Sequence, residues 1–150
     1  MPKFKFWKIP AKYWPYITKG HVAVYELSRG LVGHWMPGMA PALILHHTGA
    51  KSGKQYKIPL NYFVSNDDFV VVASNGGHPK NPNWFWNLKA NPDTRIRVGL
   101  RELRVTAREA TAEERADWWP KIATTGAYAI YQRRTKRTIP LVVLSPAHQQ

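Results

Sequence analysis

The chain has no cysteine among its 150 residues, so it can form no disulfide, offers no thiolate to a metal and has no thiol nucleophile. Acidic residues are scarce as well: 9 Asp and Glu stand against 22 Lys and Arg, a net charge of +13. An anionic partner is expected, with nucleic acid, anionic lipid and an acidic cofactor as the candidates. No run approaches the roughly 20 apolar residues of a membrane-spanning helix, and the N-terminus lacks an apolar core followed by a small-residue cleavage site. The expectation is a soluble or peripheral protein, placed in the cytoplasm. Metal-ligand spacing is missing too. His46 and His47 are adjacent, and on a strand their rings face opposite sides. His21, His34, His78 and His148 have no neighbouring carboxylates, so no metal site is expected.

What is present is a core. The hydrophobic fraction is 44%, with seven Trp, enough for one compact unit at this length. Two regions differ in character. Residues 1–20 hold five Lys and no acid, interleaved with Phe4, Phe6, Trp7, Tyr13, Trp14 and Tyr16. Pro10 and Pro15 argue against one continuous helix there, while rings and ammonium groups together suit an anionic bilayer interface. A flap packed on the core is the other reading. Residues 21–150 form the domain proper.

Within it, His21 to Leu31 carries an imperfect helical stripe that stops in a segment containing Gly30, Gly33 and Gly38. Ala42–His46, Tyr56–Val64 and Phe69–Ser74 read as a three-stranded meander, the last two joined by an Asn66-Asp67-Asp68 turn. Asn81-Pro82 supplies a helix start, with Asn as N-cap and Pro at the first helical position, and Asn91-Pro92 closes that helix. Arg95–Val98 and Leu103–Arg108 alternate as two strands with one wet face. Thr111 and Glu114 make a capping box for a helix that Pro120 should kink or end. Ile139–Leu144 is a last strand. About six strands and three or four helices give an α+β fold, its mostly antiparallel sheet curled into a barrel.

The segment Thr48-Gly49-Ala50-Lys51-Ser52-Gly53-Lys54 reads as an anion cradle between two strands. Its glycines admit backbone conformations closed to other residues, and Lys51, Ser52 and Lys54 add charge and a hydroxyl. By itself a Lys-rich turn is more often a solvated hairpin. The basic run Arg133 to Arg137 reads as a solvated turn in preference to a phosphate or lipid contact. None of the usual nucleic-acid motifs occurs, which makes nucleic acid the weaker partner.

Six words in order and spacing change the balance. Thr48–Gly53, Pro59-Leu60, Val72–Gly77, Asn81–Trp84, Asn87–Pro92 and Tyr131–Thr135 together resemble the deazaflavin-dependent nitroreductase family over His21 to Leu144. The resemblance implies a split β-barrel of the FMN-binding, pyridoxamine oxidase-like type with flanking helices. It also implies coenzyme F420 as cofactor, an 8-hydroxy-5-deazaflavin with a phospholactyl polyglutamate tail. Its reduced form, F420H2, would donate a hydride to a small hydrophobic electron-poor acceptor: an activated alkene such as an enone, a quinone or a nitroaromatic.

Carried onto this chain, the resemblance implies cofactor binding by Lys51, Ser52, Tyr56, Lys57, Pro59, Ala73, Ser74, Asn75, Gly76, Trp84 and Asn87. The cationic group suits the tail and the Gly-rich loop suits the ring. Tyr128 and Ser74 are the expected catalytic residues, stabilising charge on the acceptor oxygen. The chain departs from the family at Tyr56, where Arg is usual, and at Thr125, where a tyrosine is frequent. Lys57 cannot stand in for that Arg, because neighbours on a strand face opposite ways. Split barrels also hold FMN or haem, which leaves a flavin or haem protein and a basic nucleic-acid-binding module as alternatives.

Overall fold

A computed structural model describes residues 14–28 and 40–147. Most of the basic aromatic segment, the glycines at 30, 33 and 38, and His34 and His148 lie outside the described residues. The elements run α1 (Trp14–Leu27), β1 (Ala42–Thr48), β2 (Gln55–Ser65), β3 (Asp68–Val72), α2 (Asn83–Ala90), β4 (Asp93–Val98), β5 (Arg101–Glu109), α3 (Ala112–Ala123), α4 (Tyr128–Arg134) and β6 (Leu141–Pro146). All pairings are antiparallel, and the six strands close in the order β1-β2-β3-β6-β5-β4.

Alternation fixes which side chains face inward. Leu43, Leu45, Tyr62, Val71, Ala73, Ile96, Val105, Ala107, Val142 and Leu144 line the interior, and Trp84, Phe85 and Leu88 of α2 complete that core. Burying such a side chain stabilises by about 1.5–3 kcal/mol relative to leaving it in water, so three of them anchor this short helix. The outer face of β3 and β6 carries a second core of Val70, Val72, Ile122, Ile139 and Leu141. Phe63, Trp118, Trp119, Tyr128 and Tyr131 pack against it, which seats α3 and α4 outside the barrel.

The barrel is closed but not evenly paired. β2 pairs with β1 from Gln55 to Asn61, yet it meets β3 only from Tyr62 to Ser65. Its second edge therefore stays unpaired over Gln55–Asn61 among the described residues, and Pro59 sits on that stretch, where a missing N–H breaks no ladder.

Several boundaries differ from the sequence reading, each for a physical reason. Among the described residues α1 spans Trp14–Leu27 and runs through Gly20, where the sequence reading placed the helix from His21. Pro15 lies within it, and the rest of the expectation for residues 1–20 falls outside the described residues. Pro120 lies inside α3, which continues to Ala123. The helix closes a turn later, with Thr124 N–H donating to Lys121 O and Thr125 N–H to Ile122 O. Pro82, not Asn81, caps α2; the Asn81 side chain is engaged elsewhere. The capping box forms in both directions between Thr111 and Glu114.

Candidate functional site

The β1–β2 connection is a tight hairpin. Gly49 N–H donates to Lys54 O at 2.8 Å and Gly53 N–H to Gly49 O at 2.9 Å, with Gly53 at φ +67°, a value that favours glycine. Ser52 Oγ accepts the Lys54 N–H at 3.2 Å and lies 3.5 Å from the Tyr56 hydroxyl. A Cβ on Gly49 would collide with Ser52 Oγ. Lys51 and Lys54 are exposed, and neither joins an ion pair among the described residues. The turn thus carries two ammonium groups with no carboxylate partner among the described residues.

The hairpin is tied down from α2. Asn87 Oδ1 accepts the Ala50 N–H at 2.9 Å, and Asn87 Nδ2 lies 3.0 Å from His47 Nδ1. Because Ala50 requires an acceptor, the Asn87 amide group must face His47 as donor. That fixes His47 as the neutral tautomer with its proton on Nε2. Burial, and secondly His46, hold His47 down at about 4, consistent with a ring that accepts at Nδ1. Tyr56 stacks on His47 with centroids 5.4 Å apart and 22° between planes. Lys57, next along the strand, faces the other side and pairs with Glu26 of α1 at 2.6 Å. His46 also faces away from His47; its Nε2 is buried and has no partner among the described residues.

The second part of the site starts where β3 leaves β2. Ala73 is fully buried and Ser74 half-buried. Asn75, Gly76 and Gly77 then form a single 3₁₀ turn with φ of +48°, +64° and +83°. Gly77 presses on α4, where a Cβ would come within 2.6 Å of Tyr131 O, whereas Gly76 faces open space. Asn75 Nδ2 donates to Lys80 O at 2.9 Å, and His78 Nδ1 accepts the Lys80 N–H at 3.1 Å. The solvated-turn reading of the basic run fails at Arg137. Its half-buried guanidinium bonds Ala73 O, Ser74 O, His78 O and the Asn81 side chain. No local sequence signal distinguishes Arg137 from Arg133.

The structure thus places Lys51, Ser52, Tyr56 and Asn87 together at the hairpin, and Ala73, Ser74, Asn75 and Gly76 together in the loop. Lys57 and Pro59 lie on the unpaired edge between them. The edge from Gln55 to Asn61 covers six rises of about 3.3 Å, or about 20 Å. Trp84 is 4% exposed inside the barrel while Trp86 is 51% exposed, so Trp84 can act on a ligand only through what it packs against. Tyr128 packs edge-on against Phe63 and Tyr131, and burial pushes its hydroxyl up. It stays protonated and able to donate across the neutral range. Sequence reasoning missed His47 as part of the hairpin latch as well as Arg137.

Six antiparallel strands, helices packed outside and a stretch of β2 paired on one side only define the split β-barrel class. A Listeria innocua protein of the pyridoxamine 5′-phosphate oxidase kind shares the fold at 9% identity and TM-score 0.52, over 87% of this chain and 93% of that one; this likeness concerns the fold alone. The model of the F420H(2)-dependent quinone reductase family matches residues 17–146. An F420H(2)-dependent quinone reductase of Mycobacterium tuberculosis is 42% identical over 129 residues, 83% of this chain and 87% of the relative. The solved structure of an F420-H2 dependent reductase is 41% identical with TM-score 0.64, over 70% of this chain and 94% of that one. The chain belongs to the F420H(2)-dependent quinone reductase family and is an F420H2-dependent oxidoreductase, which sets aside the FMN, haem and nucleic-acid alternatives.

Proposed function

We propose that this chain binds F420H2 along the unpaired edge of β2, tail at the hairpin and ring at the Ser74–Gly77 loop, and delivers a hydride to a quinone. The observation that carries the reading is an unpaired stretch of β2, Gln55–Asn61, about 20 Å long, with the cationic hairpin at one end and β3, which leads into the Ser74–Gly77 loop, joining at the other. One end is cationic and unneutralised; the other is a loop of successive positive-φ residues with open space over Gly76. A long ligand with an anionic tail and a flat head group matches both. When bound, the cofactor supplies the hydride equivalent that reduces the acceptor.

The protein's part is positioning and proton control. Lys51, Ser52 and Lys54 hold the anionic end, and Tyr56 adds a ring and a hydroxyl where the family usually has Arg. Ser74, Asn75 and Gly76 present polar groups at the other end, and Asn87 keeps the hairpin in register with α2. Tyr128, on the helix whose last turn packs on the same loop, positions the acceptor and donates a hydrogen bond to the oxygen on which charge develops, with Ser74 as second donor. Enones and nitroaromatics share that demand and extend the acceptor range.

Lys51→Ala and Tyr128→Phe separate these roles. The first is expected to weaken F420 binding, read by quenching of Trp fluorescence, several-fold with turnover kept. The second lowers turnover of F420H2 with a soluble quinone more than it lowers affinity. Equal loss of both parameters in both variants overturns the assignment.

A membrane-facing role for residues 1–20 extends this reading, since a lipid-soluble quinone is met at a bilayer. Its support is the Lys and aromatic pattern together with the exposed face of α1, where Tyr16 is 75% and Leu27 87% exposed. No described helix is long and apolar enough to cross a membrane, so attachment would be peripheral, at the inner face of the plasma membrane. Sedimentation with anionic liposomes that is unchanged on deleting residues 1–20 refutes it.

A further inference from the structure

We propose that Arg137 is the positioning residue of the Ser74–Gly77 loop: a guanidinium splint that sets the loop's shape and thereby the affinity for the deazaflavin end of the cofactor. The proposal rests on the reading above that this loop holds the ring. Four of the five guanidinium N–H donors are accounted for. Nη2 donates to Ala73 O at 3.2 Å and to Ser74 O at 2.8 Å, Nε to His78 O at 2.9 Å, and Nη1 to Asn81 Oδ1 at 2.6 Å. One planar group therefore joins the entry, the exit and the far end of the 73–81 segment.

The segment needs such a tie. Asn75, Gly76 and Gly77 take positive φ in succession, a conformation with little intrinsic preference in its favour and a cost at the non-glycine Asn75. The turn has only two internal backbone bonds, Gly77 N–H to Ser74 O and His78 N–H to Asn75 O. Ser74 O thus accepts from Gly77 and from Arg137 at once, which pins the carbonyl before the turn and, through the planar peptide, the Asn75 N–H on its other side.

Arg137 is itself held from behind. Gln132 Nε2 donates to Arg137 O at 2.7 Å, while Gln132 Oε1 accepts the Ile139 N–H at 3.0 Å and Arg115 Nη2 at 3.2 Å. Arg115 Nε also donates to Ile139 O at 3.0 Å. A continuous run of bonds leads from α3 through Gln132 of α4 to the loop. This gives the Tyr131–Thr135 word a physical meaning: its Gln aligns the strand approach from which the splint projects. Lysine cannot replace it, because three donors on one nitrogen do not span acceptors set on different sides of a fork.

The test compares Arg137→Lys and Arg137→Ala with the parent full-length chain. Amide hydrogen exchange reads the loop directly: Gly77 and His78, the turn's two bonded amides, exchange faster in both variants, while Ala50, Gly53 and Lys54 exchange as in the parent. Titration with F420 and kinetics with menadione then give a roughly tenfold to hundredfold rise in Kd and in KM for F420H2, with a smaller change in kcat. Methylguanidinium restores part of the affinity to Arg137→Ala and none to Arg137→Lys, whose side chain fills the site. Unchanged exchange at Gly77 and His78 in Arg137→Lys overturns the splint even if the Ala variant does not fold. Faster loop exchange with unchanged Kd overturns instead the reading of this loop as the ring-holding half.

Discussion

Lowering the pH should destabilise the fold through His47, and the structure gives the size of the effect. The ring is buried, 7% exposed, and its Nδ1 accepts from Asn87. Its folded-state value is held at about 4 against an ordinary 6.5. Because the folded value is depressed, the unfolded chain takes up the proton first. The stability tied to the neutral ring is complete above 6.5 and is lost progressively as pH falls from there toward 4. Between pH 8 and pH 5 the linkage relation gives a loss of about 2 kcal/mol from this one group. Protonated Nδ1 would also face the Asn87 amide donor for donor, so the hairpin latch opens as the ring charges. The assay is urea unfolding followed by Trp fluorescence at both pH values, for the parent and for His47→Gln. Groups common to both proteins cancel, and the parent should lose about 2 kcal/mol more than the variant. Equal losses would falsify the assignment of a buried neutral His47.

Asn87→Ala removes both latch bonds. The exposed Ala50 N–H can turn to water while His47 Nδ1 is left unpaired, so a loss of about 2 kcal/mol is expected in chemical denaturation, with faster amide exchange at Ala50. Gly77→Ala places a Cβ 2.6 Å from a backbone oxygen of α4 at φ +83°, and a loss of about 3 kcal/mol or more is expected. Gly76→Ala, at φ +64° with nothing within 4 Å, costs about 1 kcal/mol; similar losses at the two positions contradict the described contact with α4. Thr111→Ala removes the cap of α3 and should lower stability by about 1 kcal/mol, measured the same way.

Where the causes are local, the fold was legible in the sequence. The β1–β3 meander follows from alternation and turn residues, and the Thr111–Glu114 box lies within one helical turn. Pro120 does not stop α3 at once, because proline's cost depends on its position along a helix, which sequence alone does not give. In the candidate site, the hairpin cations and the Gly-rich loop could be read directly. What ties them down could not. Asn87 reaches Ala50 across 37 residues, and Arg137 reaches Ser74 across 63. Such bonds leave no periodicity behind, and Arg137 looks like any other member of a basic run until the barrel brings the loop beside it. The burial of Trp84 and exposure of Trp86 were likewise set by which face of α2 fills the barrel.

One extended ligand is expected to lie along the unpaired edge of β2 with its ends at two distinct half-sites. The most direct measurement is the change in backbone amide chemical shifts on titrating the protein with coenzyme F420, at low and at high salt. The largest changes are expected in two separated groups, Ala50–Lys54 and Asn75–Gly77, with the hairpin group weakened by salt. Largest changes on β4 and β5, or at only one of the two ends, would contradict it.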